Sequence, residues 1–313
     1  MKKVVVIGGG TGSFNVLKGL KGYDVDVAAV VNMTDDGGST GILRDEFGIL
    51  PPGDVRRCLV ALSDSTESMK QLFQYRFTDN SSLKGHSLGN LLLAALKDIN
   101  GSDEKAIKEA CRLLNIKGKV LPVTLKDCRL NAELEDGTII RGEKNLDNPQ
   151  HDGTLKIRRL FLSESAPAYE DALHAIGAAD MIVLGPGDLY GSVIANLVVD
   201  GISEAIRNSK AKKVYVCNLM TKHGETNGFK VSDFVKEIEN YLHTELDYVI
   251  VNSSKFSPFV LDKYSKEKAS PVEFDELRCK NFKAGFIVTE LMTSTEVLRH
   301  DSTLLAEKII NLF

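Results

Sequence analysis

The chain has 313 residues, with 39 lysines and arginines against 43 aspartates and glutamates and a formal net charge of -4. This balance excludes a protein that is basic overall, the usual signature of a general nucleic-acid binder. A hydrophobic content of 43% excludes a disordered chain. The five cysteines are far apart and form no CxxC pair, so we expect reduced thiols and neither a zinc ribbon nor a thioredoxin-like site.

The apolar run behind the first two lysines covers only residues 4–7, which is too short for the core of a signal peptide. No apolar run approaches the roughly 18 residues of a membrane-spanning helix. We therefore expect a soluble, cytoplasmic protein that neither binds nucleic acid nor inserts into a membrane.

A strand, a glycine turn and a helix begin the chain. The predicted strand covers residues 3–7, of which 4–7 are continuously apolar, as expected for a strand buried on both faces, and residues 8–12 contain four glycines. Apolar residues then recur on one side of a predicted helix, at positions 14, 17 and 20. The apolar run Val25–Val31 completes a βαβ unit.

Short apolar runs repeat this pattern later, at residues 181–184, 214–217 and 248–251. Amphipathic helices are predicted between them, near residues 193–207 and 232–242. Strands that alternate with helices are typical of a parallel sheet covered on both faces. The sequence therefore predicts an α/β protein with a doubly wound, mainly parallel sheet.

One segment is predicted to be entirely helical. Residues 54–114 contain successive helical patterns behind a Pro-Pro-Gly turn. Asp54 is the expected cap of the first helix and Ser102 that of the last, because their side-chain oxygens can accept hydrogen bonds from first-turn N–H groups.

A second segment is predicted to be a small antiparallel β-hairpin insert, at residues 118–162. Apolar and polar residues alternate there, and the Asp-Gly pair at 136–137 favours a two-residue turn. We expect the polar stretch 142–153 to be a mobile loop. The remaining residues, 1–117 and 163–313, would then form the core.

The glycine turn after the first strand predicts a phosphate site. Glycines there let the backbone approach a phosphate closely, with free N–H groups and a helix dipole facing the anion. Gly8, Gly10 and Ser13 nearly match the GxGxxG pattern, and a tight turn without a ligand is the alternative. Valine at Gly10 or Gly12 is expected to abolish binding while the protein stays folded.

Two related sites fit this turn less well. A P-loop would require Gly-Lys-Ser/Thr at its end, which the sequence lacks. A plain dehydrogenase is disfavoured because the second strand ends in Asn32, where an NAD site has an acidic residue.

A second glycine-rich turn follows a later predicted strand. The run 181–184 leads into Gly-Pro-Gly-Asp at residues 185–188 and then into a helix. Both turns would lie at the carboxyl edge of one sheet, where ligands bind in open α/β folds. A turn without a ligand is again the alternative.

Residues 85–89 match the G-x-S-x-G pattern of the α/β-hydrolase nucleophile, and His223 or His300 could complete a triad. That motif requires a buried strand immediately before it. Residues 78–84 are polar, so the hydrolase interpretation is disfavoured. Ser87 is expected instead to begin a helix.

Taken in order, seven segments resemble the YvcK-type gluconeogenesis factors, a bacterial branch of the family that also contains the 2-phospho-L-lactate transferases. The segments span nearly the whole chain, at residues 8–12, 32–41, 51–56, 85–90, 185–188, 218–221 and 299–301. The second and third are far more specific than a glycine turn. The chain departs from the branch pattern at Lys222, where glutamine is expected.

The resemblance implies a Rossmann-like sheet, a nucleotide-diphosphate ligand and homo-oligomers, with a homodimer expected. For the YvcK branch it implies binding of UDP-sugars, notably UDP-N-acetylglucosamine. It also implies a role in growth and cell shape on gluconeogenic carbon sources, and control of amino-sugar flux toward peptidoglycan through a partner enzyme. The transferase branch moves a phosphate-linked lactyl group onto a deazaflavin precursor.

The expected ligand-binding residues combine both arguments. They are Gly9, Gly10, Thr11, Gly12, Ser13, Asn32, Asp36, Gly185, Gly187, Asp188, Asn218, Tyr264 and Arg299. Tyr264 and Arg299 are included because the YvcK branch carries a tyrosine and an RHD-type arginine to which UDP-sugar binding is attributed. A packing role for Tyr264 and a solvated position for Arg299 are the alternatives.

Two functions remain open. The first is a UDP-sugar sensor without turnover. The second is a Mg²⁺-dependent transferase in which Asp35 and Asp36 hold the metal against the phosphates, the alternative being a solvated turn. No catalytic residue is assigned, because His86, His174 and His243 lie in polar or surface positions and none is a convincing general base. That favours the sensor.

Overall fold

Ten strands form two sheets in the computed structural model, which describes residues 1–78, 82–293 and 298–313. The strands are β1 (Lys2–Gly8), β2 (Val25–Val31), β3 (Lys119–Pro122), β4 (Leu130–Leu134), β5 (Ile139–Arg141), β6 (Ile157–Leu162), β7 (Met181–Leu184), β8 (Lys212–Val216), β9 (Tyr248–Asn252) and β10 (Gly285–Thr289). Seven of them form one parallel sheet in the order β10-β9-β8-β7-β1-β2-β3. The predicted α/β fold with a mainly parallel sheet is confirmed.

Helices precede and follow most of these strands. They are α1 (Gly10–Leu20), α2 (Gly38–Phe47), α3 (Pro52–Leu62), α4 (Glu67–Gln74), α5 (Leu88–Asn100), α6 (Asp103–Leu113), α7 (Glu143–Asp147), α8 (Glu170–Gly177), α9 (Ala195–Leu197), α10 (Ile202–Asn208), α11 (Val231–Leu242), α12 (Pro258–Lys266), α13 (Glu276–Cys279) and α14 (Ser302–Ile310). A π-helical segment covers Leu189–Ile194. Residues 4–7 of β1 are at most 2% exposed, so the sheet is covered on both faces there.

Strand β1 lies at the point where the chain reverses direction across the sheet. It pairs with β2 on one side and with β7 on the other. In open α/β sheets, ligands bind at the carboxyl ends of strands at such a point. The turns that follow β1 and β7 are therefore neighbours, although 173 residues separate Gly12 from Gly185.

The antiparallel element differs from the predicted hairpin in its extent. Strands β5, β4 and β6 form a three-stranded sheet, and the predicted Asp-Gly turn joins β4 to β5. Residues 119–122, which the sequence placed in this insert, belong instead to the large sheet, where β3 pairs in parallel with β2. A strand as short as Lys119–Pro122 gives no sign in the sequence of which sheet it joins, and its pairing with β2 decides this.

Helix boundaries correct three further expectations. Asp54 lies in the first turn of α3, whose N-cap is Pro51, because Pro52 is well suited to the first helical position. The polar stretch expected to be a loop contains α7, and the helix expected over residues 193–207 is divided between the π-helical segment, α9 and α10. Gly201, with φ +95°, interrupts that helix just before α10.

Two predicted caps are confirmed. The Ser87 hydroxyl accepts a hydrogen bond from the Asn90 N–H, and the Ser102 hydroxyl accepts one from the Lys105 N–H. All five cysteines are free thiols, four of them buried. Within the described ranges, no helix is long and apolar enough to span a membrane.

Candidate functional site

The turn after β1 leads directly into α1. Gly9 is the N-cap of this helix and provides no side-chain cap, and the Asp54 carboxyl accepts a hydrogen bond from the Gly10 N–H. The N–H groups that follow in the first turn have no partner within the helix and can face an anion. Gly10 has φ +62°, a conformation that favours glycine. This turn is therefore built for close backbone approach, as the sequence predicts.

Two asparagines hold the turn after β7. The Asn218 amide donates to the Gly187 carbonyl at 2.7 Å, and the Asn32 amide donates to the Gly191 carbonyl at 3.1 Å. The turn lies directly against Gly12, where a Cβ atom would be 2.0 Å from the Pro186 carbonyl oxygen. The predicted convergence of the two glycine turns at one sheet edge is confirmed.

A cavity of about 550 Å³ opens between these turns. Both turns line it, together with the loop after β2, the start of α3 and the insert. The lining residues are Gly9, Gly10, Thr11, Gly12, Asn32, Asp35, Gly37, Gly38, Asp54, Arg57, Glu143, Lys144, Asp147, Asn148, Gly187, Asp188, Gly191 and Ser192. We call it the phosphate cavity. Its volume falls in the range of about 300–1,000 Å³ that is usual for small-molecule sites.

The predicted ligand residues divide into three groups. Seven line the phosphate cavity: Gly9, Gly10, Thr11, Gly12, Asn32, Gly187 and Asp188. Tyr264 lines an adjoining cavity of about 560 Å³, which we call the distal cavity and which shares Asp147, Asn148 and Asp188 with the first. Ser13, Asp36, Gly185, Asn218 and Arg299 line neither, and Arg299 is exposed.

Asp35 and Asp36 do not form the predicted pair of metal ligands. Asp35 lines the phosphate cavity, whereas Asp36 accepts a hydrogen bond from the Lys144 N–H at 2.8 Å and lies 3.7 Å from Arg129. Among the residues described, no three His, Cys, Asp or Glu side chains are arranged to hold a metal ion. Asp54 is the carboxylate that accompanies Asp35, so these two are the residues that could contact Mg²⁺.

Three carboxyls of the cavity, those of Asp35, Asp54 and Glu143, have raised pKa values. Burial raises the pKa of Asp54 to about 7, and the charge of Asp35 adds to the effect. Burial, with the charges of Asp35 and Asp147, raises the pKa of Glu143 to about 9. Because Glu143 is protonated at neutral pH and Asp54 partly so, the cavity repels an anion less than its carboxyl count suggests.

Several lining residues were not found from the sequence. Asp54 was interpreted as a helix cap, and Glu143, Lys144 and Asp147 fall in the stretch interpreted as a loop. Their only sequence signal is a set of charges beside Gly142. Nothing local indicates that this segment reaches the sheet edge.

The hydrolase interpretation is not supported by the structure. Ser87 is fully buried at the start of α5, where it caps the helix. The Nδ1 atom of His223, one of the two candidate triad histidines, lies 3.1 Å from Oδ1 of Asn227. His300 is buried, which lowers its pKa to about 4. Of the polar residues before Gly85, 79–81 lie outside the described ranges.

Comparison with known proteins identifies the family. Residues 4–292 match the family model described as 2-phospho-L-lactate transferase CofD. The chain belongs to the CofD family. Within it, the chain is 45% identical to a gluconeogenesis factor from Halalkalibacterium halodurans over 312 residues, covering 99% of this chain and 96% of the relative.

Further relatives of the chain share the name gluconeogenesis factor. A putative gluconeogenesis factor from Thermotoga maritima is 47% identical over 312 residues, with 98% of each chain covered. The gluconeogenesis factor of Bacillus subtilis is 40% identical, covering 99% of this chain and 98% of the relative. A crystal structure of a Bacillus halodurans protein, 45% identical, superimposes with a TM-score of 0.94 over 99% of both chains. The predicted Rossmann-like fold and the resemblance to gluconeogenesis factors are confirmed.

Proposed function

We propose that this protein binds a nucleotide-diphosphate sugar, with UDP-N-acetylglucosamine as the expected ligand. The observation that carries the proposal is the meeting of two glycine turns at one cavity, where the first turn of α1 offers the backbone N–H groups that follow Gly10 to a diphosphate. The distal cavity adjoins it and has room for a sugar or a base beside Tyr264.

The relatives named gluconeogenesis factor support a regulatory role for this binding. We propose that the ligand-bound protein, in the cytoplasm and as a homodimer, adjusts amino-sugar supply for the cell wall during gluconeogenic growth through a partner enzyme. Tyr264 and Arg299 remain proposed ligand contacts, the second resting on the resemblance alone.

Thr11→Glu tests the phosphate assignment. Thr11 is exposed at the second position of α1 and lines the phosphate cavity. Glutamate in a first helical turn interacts favourably with the helix dipole, so we expect an unchanged melting temperature. The added charge faces the diphosphate, so affinity for UDP-N-acetylglucosamine should fall at least tenfold, or about 1.4 kcal/mol. Calorimetric titration measures it.

Thr11→Gln is the matched control, because it has the same shape without the charge. If Thr11→Glu bound UDP-N-acetylglucosamine with the affinity of the wild type, the phosphates could not lie at this turn. Titration with UDP, GDP and ADP in parallel reads the base preference, and a wild-type protein that binds none of these nucleotides would refute the proposed function.

A second candidate function is a Mg²⁺-dependent transferase that acts on a nucleotide-diphosphate ester. The family model and the placement of Asp35 and Asp54 in one cavity favour it. These residues would hold the ion, which would neutralise phosphate charge when bound. Incubation of the wild-type protein with UDP-N-acetylglucosamine and Mg²⁺ separates the two. Release of UMP or UDP at an enzymatic rate would favour the transferase.

A further inference from the structure

The insert forms one wall of the phosphate cavity. Helix α7 and the residue after it contribute Glu143, Lys144, Asp147 and Asn148 to the lining. The helix has only five residues, and Leu146 is its buried side chain. A helix this short has little stability of its own. Its contacts with the rest of the protein therefore determine whether this wall stays in place.

One lysine connects α7 to the core. The Lys222 ammonium lies 2.8 Å from Oδ2 of Asp188, in the second glycine turn, and it also donates a hydrogen bond to Oδ1 of Asp147, in α7. Its third partner is Glu225, with Oε1 at 3.1 Å and a side chain only 1% exposed. Three carboxylates from three segments thus meet at one cation.

The core side of this connection is firmly held. The Lys222 carbonyl accepts hydrogen bonds from the N–H groups of Glu225 and Thr226, at 3.2 and 2.9 Å. Oε2 of Glu225 accepts another from the Tyr190 N–H at 3.2 Å, in the π-helical segment. Burial alone would lower the pKa of Lys222, but the three carboxylates outweigh it and raise that pKa. The ammonium therefore stays charged.

The other end of α7 has a separate anchor. Oδ1 of Asp36 accepts the hydrogen bond from the Lys144 N–H at the start of the helix. Lys222 acts at the opposite end, through Asp147. Without that contact, α7 would keep its anchor at Asp36 and the buried Leu146 side chain, and its C-terminal end could move away from the glycine turns.

We propose that Lys222 is a positioning residue that holds α7 closed over the phosphate cavity by joining Asp147 to Asp188. Because Lys222 lines the distal cavity at its border with the phosphate cavity, a ligand that extends from the glycine turns toward Tyr264 passes beside this connection. Opening of α7 would release such a ligand. The release of a ligand rests on the proposed function. The connection of Asp147 to Asp188 through Lys222 does not depend on that function.

Hydrogen–deuterium exchange in Asp147→Asn tests the proposal without any ligand. Of the three carboxylate contacts of Lys222, this variant weakens only the one with the insert, because those with Asp188 and Glu225 remain. We expect the Asn148 amide, which is hydrogen-bonded to the Lys144 carbonyl at the released end of α7, to exchange at least tenfold faster. The Lys144 amide should change less, because Asp36 still holds it. Amides of β1 should be unaffected.

Asp262→Asn is the matched control. It removes the same charge from an exposed ion pair with Lys266, 2.7 Å long, on α12. Lys222→Met is the second variant and should also accelerate exchange in α7, and Lys222→Arg should restore protection at least in part. Wild-type exchange of α7 in both Asp147→Asn and Lys222→Met would overturn the proposal.

The rate of ligand dissociation distinguishes the closure of α7 from the electrostatic effect of the Asp147 charge on the ligand. Removal of a cavity carboxylate would by charge alone tighten the binding of an anionic ligand, whereas loss of closure speeds its dissociation. We expect UDP-N-acetylglucosamine to dissociate at least fivefold faster from Asp147→Asn than from the wild type. Slower dissociation together with unchanged exchange would refute the closure role. If the wild type binds no nucleotide, the proposed function fails and the exchange result still decides the role of Lys222.

Discussion

Gly12→Val is expected to destabilise the folded protein severely. The new Cβ would lie 2.0 Å from the Pro186 carbonyl oxygen and 3.0 Å from the Gly187 nitrogen, so the backbones of the two glycine turns must separate. Overpacking typically costs about 1–3 kcal/mol, and a collision of two backbones belongs at or above the upper end of that range. Thermal unfolding measures the effect, and nucleotide binding should be lost with it.

Gly22→Val is the matched control, because a Cβ there meets only the Gly19 carbonyl at 3.5 Å, an ordinary contact. We expect its melting temperature to stay close to that of the wild type. If Gly12→Val had the melting temperature of the wild type, the two glycine turns could separate without a loss of stability. From the sequence alone, valine at Gly12 was expected to abolish binding while the protein stays folded, and the contact of Gly12 with Pro186 changes that expectation.

Asp54→Asn is expected to stabilise the protein at pH 8 and to flatten the pH dependence of its stability. Burial raises the pKa of this carboxyl from 3.8 to about 7 in the folded state. Between these values the folded protein binds more protons than the unfolded chain, so the free energy of unfolding falls as pH rises. By pH 8 the loss is on the order of 2–4 kcal/mol.

Asparagine cannot ionise and keeps an oxygen that can accept a hydrogen bond, so the variant avoids this loss. Denaturant titrations of both proteins at pH 5, 6, 7 and 8 measure the difference, which should grow with pH. Asp45→Asn is the control, because the Asp45 side chain is 68% exposed at the surface. If the free energy of unfolding changed with pH in the same way for Asp54→Asn and the wild type, ionisation of Asp54 would not destabilise the folded protein.

The sheet and both glycine turns could be predicted because they leave local signals. A buried parallel strand is a continuous apolar run, as in residues 4–7 of β1, and glycines between a strand and a helix indicate a phosphate turn. The caps Ser87 and Ser102 are equally local, since each contacts an N–H group three residues away.

The rest of the site depends on contacts between distant segments. Asp36 was expected beside a ligand, but its carboxylate holds Lys144, which is 108 residues away. Asp54 was interpreted as a cap because a helix start and a cavity wall favour the same residue types. Lys222 stood out in the sequence only as a departure from a pattern, and its three carboxylate partners become visible only in the fold.

The contact between Gly12 and Pro186 also bears on the order in which the protein can form its site. The first glycine turn lies near the start of the chain, but the second glycine turn packs against it only after β7 has paired with β1. A nascent chain that ends before residue 181 would contain the whole βαβ unit and still have no cavity. The proposed nucleotide site would therefore exist only in the completed sheet, and a nucleotide bound there would fasten the early and late halves of the chain to each other.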